Sequence, residues 1–301
     1  MIEPLRLLIE DYEEEAVKFF SNILSRIGLT PLRPLKSLLL STLILSILDS
    51  KRWSWHIFSL ESVVEETWRF ISHVGDMDDI ALFKDLDLLE TAIEDTEKLI
   101  RLSDIDRTNF VDTIRFFAMF LSSVKTDELR DFYSFSSRLR AFVMDKLSIM
   151  LSEEAYKHKA RYFGQLVVLD REQSYRISQM SLLCFPIVDL RTSDTYLYLL
   201  GKVLKIWNNP PLSKFHCPMD PSVIRVGVRI GLFSKKFKTS RHGGFRYRIF
   251  QNIARDIFPN DPTKLYVLRY IGETLCKSHK QLCEGCPFFG ICKYYIMSEE
   301  V

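Results

Sequence analysis

Between positions 36 and 185, apolar residues recur every three and four positions, the spacing of one helix face. Val64, Trp68, Ile71 and Gly75 step in this way, and so do Phe110, Ile114, Phe117 and Leu121. Phe132, Phe135, Leu139 and Phe142 follow, running into Met144–Leu147. No proline lies between Lys36 and Phe185, and Gly75 and Gly164 are the only glycines there, so long helices can run unbroken. Ser62-Val-Val-Glu65 reads as a capping box at a helix start. Loops near 28–34, 75–78, 103–107, 125–128 and 151–153 divide the region into about five to seven helices. The Phe-rich stripes are assigned to a bundle core and to no chemistry. From Pro186 onward the texture changes, as Pro210, Pro211, Pro218, Pro221, Pro259, Pro262 and Pro287 punctuate shorter segments. No solenoid-length repeat and no low-complexity segment occurs. The expected fold class is all-α.

A chain of 301 residues with 47% hydrophobic content can bury a sizeable core, and its length suggests about two domains. The longest apolar runs, Leu38–Leu48 and Phe116–Leu121, fall short of the roughly 20 residues a bilayer requires. The first residues turn acidic where a signal peptide would stay apolar. These features predict an intracellular protein, cytoplasmic or nucleoid-associated, with no membrane partner. The net charge of +2 is unevenly spread: residues 201–301 carry 17 Lys and Arg against 7 Asp and Glu, and residues 1–200 carry 24 against 32. A basic C-terminal third points to a polyanion such as nucleic acid, although a solvated basic surface gives the same count.

Six cysteines occur. Cys184 and Cys217 stand alone and read as buried thiols. Cys276, Cys283, Cys286 and Cys292 form C-x6-C-x2-C-x5-C within 17 residues. Four thiolates so close need a cation to hold them, and an intracellular protein rarely keeps disulfides. Structural zinc sites of four cysteines usually offer two C-x2-C knuckles, and here there is one. A cubane iron–sulfur cluster also takes four thiolates. The spacing favours a [4Fe–4S] cluster, with zinc as the alternative that a tetrathiolate set also permits.

This spacing, with its Cys286-Pro-Phe-Phe-Gly-Ile-Cys292 ending, resembles the cluster loop of the endonuclease III and MutY branch of the helix-hairpin-helix DNA glycosylases. In that family the cluster is structural, and its first loop offers basic side chains to DNA phosphates. Lys277, His279 and Lys280 occupy that loop here. The segment Met219–Leu232 resembles the family's V-D-x-H-V-x-R-V-x-x-R-L-G-L stretch. It matches at Asp220, Val223, Arg225, Val226, Arg229, Gly231 and Leu232, with Ser222 at the family's His and Pro221 at its usual Thr. The resemblance implies that Asp220 is catalytic, stabilising an oxocarbenium-like sugar and activating the attacking water. Read locally, Asp220-Pro221 is an N-cap with a first-turn proline, and Gly231 suits the helix end. Arg225 and Arg229 share one face, towards phosphate or solvent. Cap and catalyst remain open as readings of Asp220.

The family's L-P-G-V-G hairpin, whose backbone amides bind phosphate, has two placements here. Phe185–Thr192 keeps the Pro, Val and Thr but has Ile187 and Asp189 at the glycine positions. The other puts Lys202 at the Schiff-base lysine and makes Tyr198–Leu200 the hairpin, although those residues read as helix interior. The first placement is preferred. It puts Arg191 at the lysine position, where a guanidinium cannot form a Schiff base, so the implied enzyme is monofunctional. Phosphate contacts are then expected from Arg191, Arg225, Arg229, Lys235, Lys236, Lys238, Arg241, Lys277 and Lys280.

The implied architecture is a helical barrel-like domain, 30–205, with a degenerate hairpin near 185–192, and an iron–sulfur domain of 1–29 and 206–301. Nucleic acid would lie in the cleft between them. The implied function is a monofunctional DNA N-glycosylase of base excision repair, which hydrolyses the N-glycosidic bond of a flipped, damaged or mismatched base in duplex DNA; the oligomeric state stays open, with a monomer favoured. Two alternatives are a non-catalytic iron–sulfur DNA- or RNA-binding protein on a decayed glycosylase fold, and an N-glycosidase acting on RNA or nucleosides.

Overall fold

The computed structural model describes residues 2–52, 54, 59–151, 153–208, 210–234, 237, 243–277 and 281–293. The fold is all-α. Among the described residues the only β features are two isolated bridges, Asp131 with Asn208 and Cys276 with Gln281. In chain order the helices are α1 (Ile2–Asp11), α2 (Glu13–Arg26), α3 (Leu35–Lys51), α4 (Leu60–Val74), α5 (Leu86–Glu94), α6 (Asp104–Ser123), α7 (Thr126–Arg130) and α8 (Phe132–Phe142). They continue with α9 (Ser148–Met150), α10 (Glu153–Val168), α11 (Ser174–Leu183), α12 (Leu190–Tyr198), α13 (Pro221–Arg229), α14 (Gly243–Ile257) and α15 (Val267–Thr274). Among the described residues no helix is long and apolar enough to cross a membrane. The chain divides into two compact units, 21–211, and 1–20 with 212–301. The boundaries expected from the sequence lie after residues 29 and 205.

Unit 21–211 is built around α3. That helix is apolar on every side, as a helix enclosed by others must be. Its polar interruptions are hydroxyls, and Thr42 and Ser46 each donate at 2.7 Å to the carbonyl four residues back. Helices α4, α6 and α12 pack against it. The Phe stripes are core, as expected: Phe110, Phe117, Phe120, Phe132 and Phe135 are fully buried, with Phe117 against Phe185 at 5.7 Å and Phe120 against Phe135 at 6.0 Å.

Helix boundaries depart from the sequence reading in places. The cap of α4 is Ser59, whose Oγ accepts from Ser62 N–H at 3.0 Å, so the expected box at Ser62 lies inside the first turn. The buried face of α4 runs Val63, Thr67, Phe70 and Val74, which turns Trp68 outward at 46% exposure. Burial of Leu60 and Val63 fixes that register, and the four-residue box cannot specify it. The segments expected as loops at 103–107 and 125–128 are mostly first turns, of α6 after its cap Ser103 and of α7 after Lys125.

In unit 1–20/212–301, α1 and the start of α2 are held by Lys264, whose ammonium lies 3.1 Å from Glu10 and 3.2 Å from Glu13. Phe19 meets Tyr270 at 5.3 Å, and Phe20 stacks on Tyr266 at 5.5 Å. The segment before α13 is clamped to α14 by the Gln251 amide, which donates to Cys217 O at 2.8 Å and accepts from Cys217 N–H at 3.0 Å. His216 Nδ1 pairs with Tyr247 OH at 2.6 Å. Helices α13 and α15 pack side by side, and Gly272 permits the contact: a Cβ there would stand 2.8 Å from Ser222 Cβ.

Candidate metal centre and the aspartate helix

Helix α13 begins and ends as its sequence dictates. Asp220 caps it, accepting from Ser222 N–H at 2.6 Å, and Pro221 opens the first turn. Gly231 stops it at φ +79, a backbone region that side chains disfavour, and Leu232 N–H returns to Gly227 O at 2.7 Å.

From this helix Arg225 and Arg229 reach the cysteine loop. Arg225 donates from Nη2 to Gly272 O at 2.8 Å and from Nε to Cys276 O at 3.2 Å. Arg229 Nη1 lies 3.0 Å from Cys276 Sγ, 3.3 Å from Cys276 O and 3.2 Å from Lys277 O. Their shared face is therefore turned onto the first cysteine, and the two guanidinium groups tie α13 to the end of α15. Ser222, at the family's His position, donates from Oγ to Glu273 Oε1 at 3.0 Å.

Asp220 is fully buried, and so is Arg269, whose Nε lies 3.9 Å from Asp220 Oδ2 and 4.0 Å from Glu273 Oε1. The Arg269 guanidinium also lies 5.5 Å from the ring centroids of both Phe20 and Tyr266, and it donates to Tyr266 OH. A continuous polar chain thus runs from Asp220 through Arg269, Glu273, Ser222 and Arg225 to Cys276. Arg269 and Glu273 are the members that the sequence reading missed; the only signal was their i,i+4 spacing on α15.

After α15 the chain turns sharply, with Leu275 and Cys276 N–H both on Ile271 O at 2.9 and 2.7 Å. Leu282 N–H returns to Leu275 O at 2.9 Å and closes the first loop. Two tight turns follow, Cys286 N–H to Cys283 O and Phe289 N–H to Cys286 O, both 3.0 Å. All six cysteines are free thiols. Cys276, Cys283, Cys286 and Cys292 line one pocket together with Arg229, Leu282 and Phe289. Cys292 Sγ also lies 3.6 Å from Arg229 O. Burial pushes the Cys286 thiol up to about 11, opposed by the Phe288 N–H and reinforced by the neighbouring cysteines.

Among the described residues no group of three or more His, Cys, Asp or Glu is arranged to hold a metal ion. A set of four thiolates suits either a tetrahedral zinc or a cubane cluster.

Of the other expected nucleic-acid contacts, Lys277 is exposed beside Cys276. Lys235, Lys236, Lys238, Arg241, His279 and Lys280 lie outside the described residues. Arg191 is largely buried and donates to Ser50 O at 3.2 Å and Asp49 O at 3.1 Å.

The expected hairpin is the connection between α11 and α12, which pack on each other. Its turn faces inward: Phe185 and Val188 are buried. Ile187 N–H donates to Thr113 Oγ1 at 3.2 Å and Val188 N–H to Phe185 O at 3.3 Å. Asp189, at a lost glycine, caps α12 through Thr192 N–H at 2.8 Å and pairs with Lys51 at 2.6 Å. The alternative placement fails, because Tyr198 ends α12 and residues 199–203 continue it as a wider helical turn, so no inter-helix turn exists there.

Lys159, which the sequence did not single out, donates to Val188 O at 2.9 Å. Burial holds its ammonium down to about 8, from an ordinary 10.5. Between those pH values the unfolded chain keeps a proton that the folded chain has lost, so stability from this group rises with pH across the window and is constant below it. Lys159→Met should therefore lose about 2–3 kcal/mol of the stability gain that the native chain shows between pH 8 and 10.5. Parallel urea titrations at pH 7.5 and 10 check it, because the opposing contribution of Cys184, pushed up to about 12 by burial, largely cancels in the comparison. Equal pH slopes in the two proteins would refute the assignment.

Comparison with known proteins returns no matching family model, no matching curated protein and no matching solved structure.

Proposed function

We propose that this chain is an iron–sulfur protein that binds nucleic acid, built around a [4Fe–4S] cluster on Cys276, Cys283, Cys286 and Cys292. One observation carries the reading. Two sequence motifs that each resemble endonuclease III-type glycosylases, 56 residues apart, meet in space through Arg225 and Arg229 on Cys276. The bound cluster would act as a cross-link of the C-terminal loop. The chain's own contribution is the framework: α13 and α15 fix Cys276, the two tight turns fix Cys283 and Cys286, and Lys277 stands outward beside them.

Two activities are compatible with this framework. In a glycosylase, the Asp220 carboxylate takes a proton from water as the water oxygen bonds to the sugar carbon and the carbon–nitrogen bond to the base breaks. That requires Asp220 to touch the substrate. Its complete burial and its contacts with Ser222 and Arg269 favour the non-catalytic binding protein.

The test combines three measurements on anaerobically purified protein. Iron should reach about four per chain. Affinity for a labelled duplex should fall steeply as salt rises. No base should be released from a panel of damaged duplexes. Zinc as the sole metal after reconstitution, together with salt-independent or absent binding, would sink the proposal. Base release that disappears in Asp220→Asn would replace the binding protein with the glycosylase.

A further inference from the structure

We propose that Lys159 is a nucleophilic amine that forms an imine with a small aldehyde or ketone carrying a negative charge. The groups around it, Lys51, Arg161 and Asp189, all lie in unit 21–211, away from the cysteines and the aspartate helix. The reading therefore stands whether or not the chain holds a metal or binds nucleic acid.

Lys159 is half-buried on α10 and reaches the turn between α11 and α12, where its Nζ donates to Val188 O at 2.9 Å. Lys51 faces it from the end of α3, Asp189 from the cap of α12, Cys184 from the end of α11 and Arg161 from its own helix. A desolvated ammonium needs a carboxylate to offset its lost hydration. Asp189, the carboxylate that faces Lys159, is already engaged. It accepts from Lys51 Nζ at 2.6 Å, from Thr192 N–H at 2.8 Å and from Thr192 Oγ1 at 2.9 Å.

The other neighbours do not replace that carboxylate. Cys184, pushed up to about 12 by burial, is a neutral thiol at ordinary pH. Lys51 and Arg161 repel a further cation, and the Tyr162 ring, 5.7 Å from Nζ, gives it only a weak hold. Burial, with these two cations, therefore leaves Lys159 an amine that sheds its proton near pH 8, where an ordinary lysine waits until about 10.5.

The neutral amine is also held and reachable. Val188 O takes one N–H and leaves the nitrogen lone pair for another partner. The cluster opens to solvent: the Lys51 and Asp189 side chains are 24% and 44% exposed, and Arg161 is exposed. A lysine desolvated beside other cations is the arrangement that favours attack on a carbonyl. Its lone pair adds to the carbonyl carbon, its proton passes to the oxygen, and the adduct loses one water to leave the carbon–nitrogen double bond. Arg161 forms no ion pair among the described residues, so its guanidinium can face the negative charge of the incoming compound.

The test treats the full chain with pyridoxal 5′-phosphate, an anionic aldehyde, and with pyridoxal, the same aldehyde without the phosphate. Borohydride then reduces the imine, and peptide mass spectrometry locates the labelled lysines. At pH 7.5 about a quarter of Lys159 is neutral, against about one in a thousand for an ordinary lysine. A less basic amine is a weaker nucleophile, so the expected advantage of Lys159 over exposed lysines is roughly tenfold. Its labelling should be half-maximal near pH 8. Pyridoxal should label it severalfold more slowly, and Lys159→Met should lose the label. Lys51→Met frees Asp189 for Lys159 and should raise the half-maximum by about one pH unit, with circular dichroism confirming that both variants fold. Even labelling of all lysines at pH 7.5, or a half-maximum at Lys159 above about pH 10, would overturn the proposal. Faster labelling of Lys159 in Lys51→Met would refute the part given to the cluster, and equal rates with the two aldehydes would refute the preference for a negative charge.

Discussion

Asp220→Ala should lower unfolding free energy by about 3–5 kcal/mol, the cost of removing one member of a buried ion pair. The substitution leaves the Arg269 guanidinium, 2% exposed, without the carboxylate 3.9 Å away. It also removes the acceptor of Ser222 N–H at the start of α13, a cap worth about 1 kcal/mol. Glu273 at 4.0 Å and the rings of Phe20 and Tyr266 remain, so the charge is not stranded completely. Asp220→Asn keeps an oxygen for the cap and should cost about half as much. Urea unfolding followed by circular dichroism measures both. A loss below about 1 kcal/mol would mean that the carboxylate is not a structural anchor, and a substrate-facing role would regain its case.

Cys286→Ser is expected to have the other large effect: loss of bound iron and of brown colour, from about four irons per chain to nearly none after gel filtration. Cys286 lies between the two tight turns, its N–H on Cys283 O and its carbonyl accepting from Phe289 N–H. A serine leaves those turns in place and removes only the sulfur, so the change isolates ligation from folding of the loop. Cys184→Ser is the control. That thiol is also buried, but it lies in unit 21–211 and donates to Met180 O at 3.3 Å. It should leave iron content unchanged. Equal iron in native protein and in Cys286→Ser would remove the cysteine ring from the metal site.

The parts of the fold that could be read from the sequence are those in which one stretch of chain decides its own conformation. Asp220, Pro221 and Gly231 bound α13 because cap, first-turn proline and left-handed glycine act within a single helix. The α4 start was misread because Ser59 and Ser62 both satisfy local capping chemistry. The register was settled by the core, which buries Thr67 completely and leaves Trp68 half out. The arginines of α13 were harder still. Their spacing showed that they share a face, but the partner of that face, the Gly272–Cys276 end of α15, comes almost fifty residues later. For the same reason the charge count did not reveal direction. Arg225, Arg229 and Arg269 contribute to the positive C-terminal third, yet their hydrogen bonds and ion pairs run to groups inside their own unit. The meeting of the four cysteines in one pocket was legible because, within 17 residues, they need little tertiary help to come together.

The ion pair of Lys264 with Glu10 joins residues 254 apart, and this sets an order of assembly during synthesis. The contiguous unit 21–211 can fold as it leaves the ribosome, whereas the segment before it must wait for its partners. At about 5–20 residues per second, that wait lasts roughly 10–50 s. Throughout it, Leu5, Ile9, Ala16 and Phe20, all buried in the finished protein, are without their final cover. Residues 1–20 thus keep apolar side chains uncovered for longer during synthesis than the contiguous unit does.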